Sequence, residues 1–123
     1  MSPLRVLLVE DDPIIRRAMR RLLAIDFDDL ELTEAGTVAE ALARVDEEPF
    51  DLVLLDLGLP DGSGLDAIAP MRVRQPGLPI LVVSSQPESQ YAEPCRRAGA
   101  VDFLAKDQVP ESLARLIRRI RGL

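Results

Sequence analysis

Three short apolar runs, Val6–Val9, Leu52–Leu55 and Ile80–Val83, restrict what this chain can fold into. Each is continuous and rich in branched residues, the pattern of a strand covered on both faces, as in a parallel sheet. Parallel neighbours cannot be joined by a tight hairpin and need a crossover, usually a helix. The segments between the runs have that character. Ile15, Ala18, Met19 and Leu22 recur at helical spacing with Arg16, Arg17, Arg20 and Arg21 offset from them. Val38, Ala41, Leu42 and Val45 repeat the stripe, and Thr37 with Glu40 forms a capping box at its start. Leu113, Leu116, Ile117 and Ile120 form another, flanked by Arg115, Arg118, Arg119 and Arg121. Two further helices are expected near Leu65–Arg74 and Glu88–Ala98, the second ending at Gly99. Pro70 and Pro94 fall within them, where proline kinks a helix or marks a late first turn.

Two more stretches, "LELTEA" from Leu30 and "VDFLA" from Val101, alternate apolar with polar and suit sheet edges. The sum is an α/β chain, (βα)5. Right-handed crossovers make it a doubly wound, five-stranded parallel sheet with helices on both faces, consistent with strand order 2-1-3-4-5. At 123 residues the chain has the size of one domain with its own core, without a repeat or linker. In such sheets ligands bind outside the carboxyl ends of the strands.

Composition narrows the function classes. A hydrophobic share of 47% with 29% charged residues describes a soluble, folded chain. The formal net charge of -6 argues against nonspecific nucleic-acid binding by the whole surface. No apolar run is long enough to span a bilayer, and MSPLRV lacks the regions of a signal peptide. The single cysteine, Cys95, excludes an internal disulfide and reads as inert, so a cytoplasmic location is expected.

The strand ends carry the chemistry. The first run stops in "EDDP", giving Glu10, Asp11 and Asp12; the third strand is followed by Asp56 and "LGLPDGSG". The fourth leads into Ser84 and Ser85, and the fifth into Lys106. Carboxylates gathered in a crevice repel one another and lose hydration. A bound divalent cation resolves this, and hard oxygen ligands without histidine or thiolate favour Mg²⁺ (or Mn²⁺). A carboxylate beside such an ion can act as a nucleophile toward a phosphoryl group, with a lysine neutralising the transferring oxygens.

The set "LLVEDD", "DLVLLDLGLPDGSG", "ILVVSS" and "GAVDFLAKD" resembles the receiver domain of bacterial two-component response regulators, over essentially the whole chain and at family spacing. "FLAKD" is similar to receivers of helix-turn-helix regulators, although Asp107 stands where many members have proline after the lysine. The resemblance implies the flavodoxin-like fold and a single receiver over residues 1–123, with no output domain in the chain. It implies Asp56 as phosphoacceptor, Asp11 as a direct Mg²⁺ ligand, Glu10 as a ligand through water and the Gly58 backbone carbonyl as a further metal ligand. It makes Ser84 the hydroxyl that bonds the phosphoryl group, Lys106 its ion-pair partner and Phe103 the aromatic whose rotamer follows Ser84.

The implied partners are a histidine kinase or phosphotransfer protein as donor, an output domain or target protein outside the chain, and a second copy through the fourth helix, fifth strand and fifth helix. No nucleic-acid or membrane contact by the domain itself is expected. The chain has no histidine and cannot be the phosphohistidine donor. The expected role is a switch that catalyses its own phosphorylation and dephosphorylation, and not a turnover enzyme on an external substrate. A phosphatase of the haloacid dehalogenase type would need a second acid two residues after its nucleophile, where this chain has Gly58. A flavin-type phosphate cradle after the first strand would be repelled by Glu10 and Asp11. A divergent receiver working through protein contacts without phosphorylation is the alternative. Simpler roles stand beside these: Asp12 as a helix N-terminal acid, Phe103 as packing, Gly62 and Gly64 as turn residues, and the arginine-rich faces near Arg16 and Arg118 as solvated surface.

Overall fold

A computed structural model describes residues 3–122. Five strands, β1 (Leu4–Val9), β2 (Leu30–Ala35), β3 (Leu52–Leu55), β4 (Ile80–Ser84) and β5 (Asp102–Ala105), form one parallel sheet. Their spatial order is 2-1-3-4-5. Helices α1 (Pro13–Asp26), α2 (Val38–Glu47), α3 (Leu65–Arg74), α4 (Glu88–Ala98) and α5 (Val109–Arg121) connect and complete it. This is the expected doubly wound fold.

The continuous apolar runs conceal a period of two. Leu7, Val9, Val53, Leu55, Ile80, Val82 and Phe103 point into one core, against α2, α3 and α4. Val6, Leu8, Leu52, Leu54, Leu81, Val83 and Leu104 point into the other, against α1 and α5. Successive side chains of a strand alternate faces, so a strand covered on both sides must be apolar at every position. Residues 52–55 are accordingly all fully buried, at 0% exposure.

Both internal prolines lie well inside their helices, and neither ends its helix nor delays its start: Pro70 sits within Leu65–Arg74 and Pro94 within Glu88–Ala98. α4 stops at Gly99, whose φ of +118° is the left-handed conformation that suits glycine. A short antiparallel hairpin, Gly58–Leu59 against Gly62–Ser63, and a single 3₁₀ turn at Lys106–Gln108 complete the chain; neither was expected from periodicity.

The arginine faces are not simply solvated. Arg16 donates to the Glu10 backbone carbonyl at 3.0 Å and lies 3.8 Å from Glu34, so it ties the β1–α1 loop to β2. Arg118 lies over the Phe27 ring at 5.3 Å from its centre and donates to Asp26 at the end of α1. A long cationic side chain gains both stem packing and charge-assisted hydrogen bonds where a neighbour offers an acceptor or a ring.

Candidate phosphoacceptor and metal site

Sheet register builds the site. Val9 at the end of β1 is level with Ala35 of β2 and Leu55 of β3. The next residues continue that alignment: Glu10 N–H donates to the Ala35 carbonyl at 2.9 Å, and Asp56 N–H to the Val9 carbonyl at 3.0 Å. Glu10 and Asp56 are thus set side by side just beyond the sheet. Both are buried, at 2% and 8% exposure, while Asp11 is exposed. One carboxylate oxygen from each of Glu10, Asp11 and Asp56 lies within 4.8 Å of the others.

Lys106 follows β5 directly, and its Nζ reaches back to 2.8 Å from Glu10 Oε1 and 3.4 Å from Asp56 Oδ1. Burial pushes the carboxyls of both Glu10 and Asp56 above the usual range, and the lysine and nearby amides only partly offset it. Burial also works against the Lys106 charge, but its bond to Glu10 and the two carboxylates outweigh this and raise its pKa. The three groups form a mutually dependent ion cluster.

The remaining expected residues are at the same end of the sheet. Ser84, 1% exposed, ends β4 level with Ala105. Its Oγ accepts from Gln86 N–H at 3.0 Å, which leaves the hydroxyl proton free to donate elsewhere. Gly58 borders Asp56: a side chain there would start 3.9 Å from Asp56 Oδ2. Phe103 is buried in the core shared with α3 and α4. Asp12 lies apart from the cluster's chemistry and caps α1, accepting from Ile14 N–H at 2.9 Å. Its own N–H donates to Glu10 Oε2 at 3.1 Å, so both oxygens of Glu10 are engaged by the protein.

Three residues support the site in ways the sequence did not show: Gly64, read as a turn residue, Arg16, read as solvated surface, and Asp61. Gly64 N–H donates to the Leu57 carbonyl at 2.8 Å, and a Cβ at Gly64 would sit 2.2 Å from the Asp56 carbonyl oxygen. Arg16 holds the Glu10 carbonyl, as described above. Asp61, on the hairpin after β3, accepts from Val38 N–H at 2.8 Å and Ala39 N–H at 3.0 Å, the first turn of α2. These contacts join segments 6 to 23 residues apart and leave no local periodic mark. Only the glycine and the "PDGSG" turn composition hinted at a constrained loop.

The arrangement suits a hard cation. Every nearby side-chain ligand is an oxygen, burial raises the pKa of the two buried acids despite Lys106, and the exposed side of Asp11 leaves room for water.

Comparison with known proteins supplies the family. The family model for the response regulator receiver domain matches residues 6–118. The chain is 36% identical over 115 residues to the transcriptional activator protein ExaE of Pseudomonas putida, covering 94% of this chain and 54% of that protein. The chain therefore spans about half the length of that relative. Among solved structures it resembles a LuxR-family two-component response regulator from Aurantimonas sp. SI85-9A1, with TM-score 0.90 and 30% identity over 98% of this chain and 87% of that one. It also resembles a Burkholderia pseudomallei response regulator with a phosphorylated aspartic acid, calcium ion and citrate, with TM-score 0.76 and 25% identity over 96% of this chain and 72% of that one. With its fold, its acid cluster and this match over most of its length, the chain belongs to the response regulator receiver domain family.

Proposed function

We propose that this receiver takes a phosphoryl group onto Asp56, with Mg²⁺ or Mn²⁺ at the adjoining acids, and changes its surface for a downstream partner. The observation that carries the reading is the convergence of Glu10, Asp11 and Asp56 with Lys106 at one end of the sheet. The phosphorylated aspartic acid and calcium ion of the Burkholderia protein support it by likeness.

Asp11 and Asp56 would hold the cation, with the Gly58 carbonyl as a further ligand. Glu10 would act through water, in keeping with its two oxygens being bonded to Lys106 and Asp12. When bound, the metal supplies positive charge opposite the transferring phosphoryl oxygens. An Asp56 oxygen attacks phosphorus; an O–P bond forms as the donor's N–P bond breaks, and the departing imidazole nitrogen keeps the electron pair and takes up a proton. Lys106 already lies 3.4 Å from Asp56 Oδ1, close enough for its charge to bear on the incoming phosphoryl oxygens. Ser84, its Oγ held by Gln86 N–H, has a proton to donate to one of them. Phe103 would follow Ser84 and pass the change to the surface of α4, β5 and α5.

The donor would be a histidine kinase or phosphotransfer protein in the cytoplasm, and the readout an output domain, a target protein or a second copy through α4, β5 and α5. On that face Asp102 is bonded to Arg96 and Arg119 of its own chain, each at 3.0 Å. The role is that of a switch and not of an enzyme with an external substrate.

Intact mass after incubation with acetyl phosphate tests the reading. A single phosphoryl adduct that requires both Mg²⁺ and Asp56, and is lost in Asp56→Asn, is the expected result. No adduct on folded wild type would overturn it and favour a phosphorylation-independent interaction module.

A further inference from the structure

We infer that Asp61 is a positioning residue for the metal site, coupling it to the start of α2. The inference rests on the metal reading above, in which the Gly58 carbonyl is a ligand.

Gly58 does not sit on the sheet. It lies on the hairpin after β3, whose own pairing is two residues against two: Gly58 with Ser63 and Leu59 with Gly62. So small a ladder is marginal by itself. Beside the packing of Leu59 against the core, two hydrogen-bonded attachments fix it to the body. At its base Gly64 N–H donates to the Leu57 carbonyl at 2.8 Å. At its tip the Asp61 carboxylate grips α2 with both oxygens, taking Val38 N–H at 2.8 Å and Ala39 N–H at 3.0 Å. The side of the hairpin that carries Gly58 is therefore held between the sheet and a helix N-terminus.

That N-terminus does not need Asp61 for its own cap. Thr37 Oγ already accepts from Glu40 N–H at 3.0 Å. A helix leaves four amides without intrahelical partners; Thr37 satisfies one, and Asp61 binds two others from a distant loop. A negative group is favoured at this end of a helix, which gives the tether its direction. Removing Asp61 frees the hairpin tip and lets the Gly58 carbonyl wander, while α2 keeps its local cap. Outer groups that orient a metal's ligands commonly change affinity about 10–100-fold when removed, and the exposed setting of Asp61 places it at the lower end, about 10-fold.

Coupling is reciprocal. An ion that fixes Gly58 also fixes the hairpin and, through Asp61, the amides of Val38 and Ala39. Those two amides should exchange more slowly with solvent when Mg²⁺ is bound.

The test is Mg²⁺ affinity by calorimetry for wild type, Asp61→Ala, Asp61→Asn and Thr37→Ala, together with amide exchange at Val38 and Ala39 with and without Mg²⁺. Thr37→Ala loosens α2 from its own side and leaves the hairpin tethered. Weakening of about 10-fold in Asp61→Ala, a smaller loss in Asp61→Asn, wild-type affinity in Thr37→Ala, and Mg²⁺-dependent protection that is present in wild type and lost in Asp61→Ala would bear the inference out. Equal affinity of Asp61→Ala and wild type, or equal weakening in Thr37→Ala, would overturn it. Asp61→Asn keeps one acceptor oxygen and carries the same comparison if Asp61→Ala does not fold. Absence of Mg²⁺ binding by folded wild type would instead overturn the metal reading itself, and the coupling with it.

Discussion

Lys106 Nζ lies 2.8 Å from Glu10 Oε1, so a lysine from the end of β5 is salt-bridged to an acid at the end of β1 across the mouth of the site. The lysine is 22% exposed along its side chain and the glutamate 3%. The same ammonium is 3.4 Å from Asp56 Oδ1. It stands in part where a cation would otherwise balance the acids.

Replacing it exposes that balance. Lys106→Met should destabilise the metal-free protein by about 1–3 kcal/mol, below the full cost of orphaning a buried charge because the pair is partly solvated. It should also bind Mg²⁺ more tightly than wild type, since no ammonium competes, and recover much of its lost stability as Mg²⁺ is added. Urea midpoints with and without Mg²⁺ measure both effects. A metal-free Lys106→Met as stable as wild type would remove the ion cluster from the account.

The pH dependence of Asp56 has a definite sign. Burial holds its carboxyl above the usual range, so the folded chain keeps that proton more tightly than the unfolded chain does. Stability therefore falls as pH rises from the ordinary carboxylate value through the folded one. Asp56→Asn lacks this loss. In metal-free buffer its urea midpoint should match or trail that of wild type near pH 4 and overtake it as pH approaches 8, estimates anchored on an ordinary aspartate near 3.9. A variant midpoint that falls further behind wild type as pH rises would mean that Lys106 overcompensates for burial.

Gly64 offers a steric test. A Cβ there would lie 2.2 Å from the Asp56 carbonyl oxygen and 3.0 Å from Leu57 Cα, both backbone atoms with no room to retreat. Gly64→Ala should cost about 3 kcal/mol or more. Gly77 faces open space at φ +84°, and Gly77→Ala should cost only about 1 kcal/mol, from backbone strain. Thermal melts of the two variants decide it; equal costs would refute the tight approach behind Asp56.

Ser84 separates chemistry from relay. Ser84→Ala removes the acceptor for Gln86 N–H and should cost about 1 kcal/mol. It should still accept a phosphoryl group, more slowly, because Asp56 and Lys106 remain. Chemical shifts in α4, β5 and α5 should move with a phosphoryl mimic in wild type and much less in Ser84→Ala. Identical shifts with and without the mimic in wild type would refute the relay.

Much of this was legible because it is periodic or terminal. Leu52–Leu55 and Leu30–Ala35 have in the structure the bounds their patterns imply, and Asp56, Glu10 and Lys106 meet because strand ends in a parallel sheet must meet. The two helices expected around Pro70 and Pro94 also have the bounds read for them, Leu65–Arg74 and Glu88–Ala98, and neither proline breaks its helix. The tether of Asp61 to α2 and the hold of Arg16 on the Glu10 carbonyl were invisible because their spacing follows neither a helix nor a strand. Arg16 also shows why a charge run is a poor guide: it reaches the Glu10 carbonyl and Arg20 bonds Glu34, while Arg17 and Arg21 of the same stripe stay exposed.

Phe103 and Leu104 are neighbours in β5, yet they belong to opposite cores: the first lies against the layer of α3 and α4, the second against that of α1 and α5. A swing of the Phe103 ring would vacate space on one side of the sheet only. On the proposed relay, α4 would therefore feel the swing directly through its own core, and α5, packed on the other face, only through the β5 strand between them.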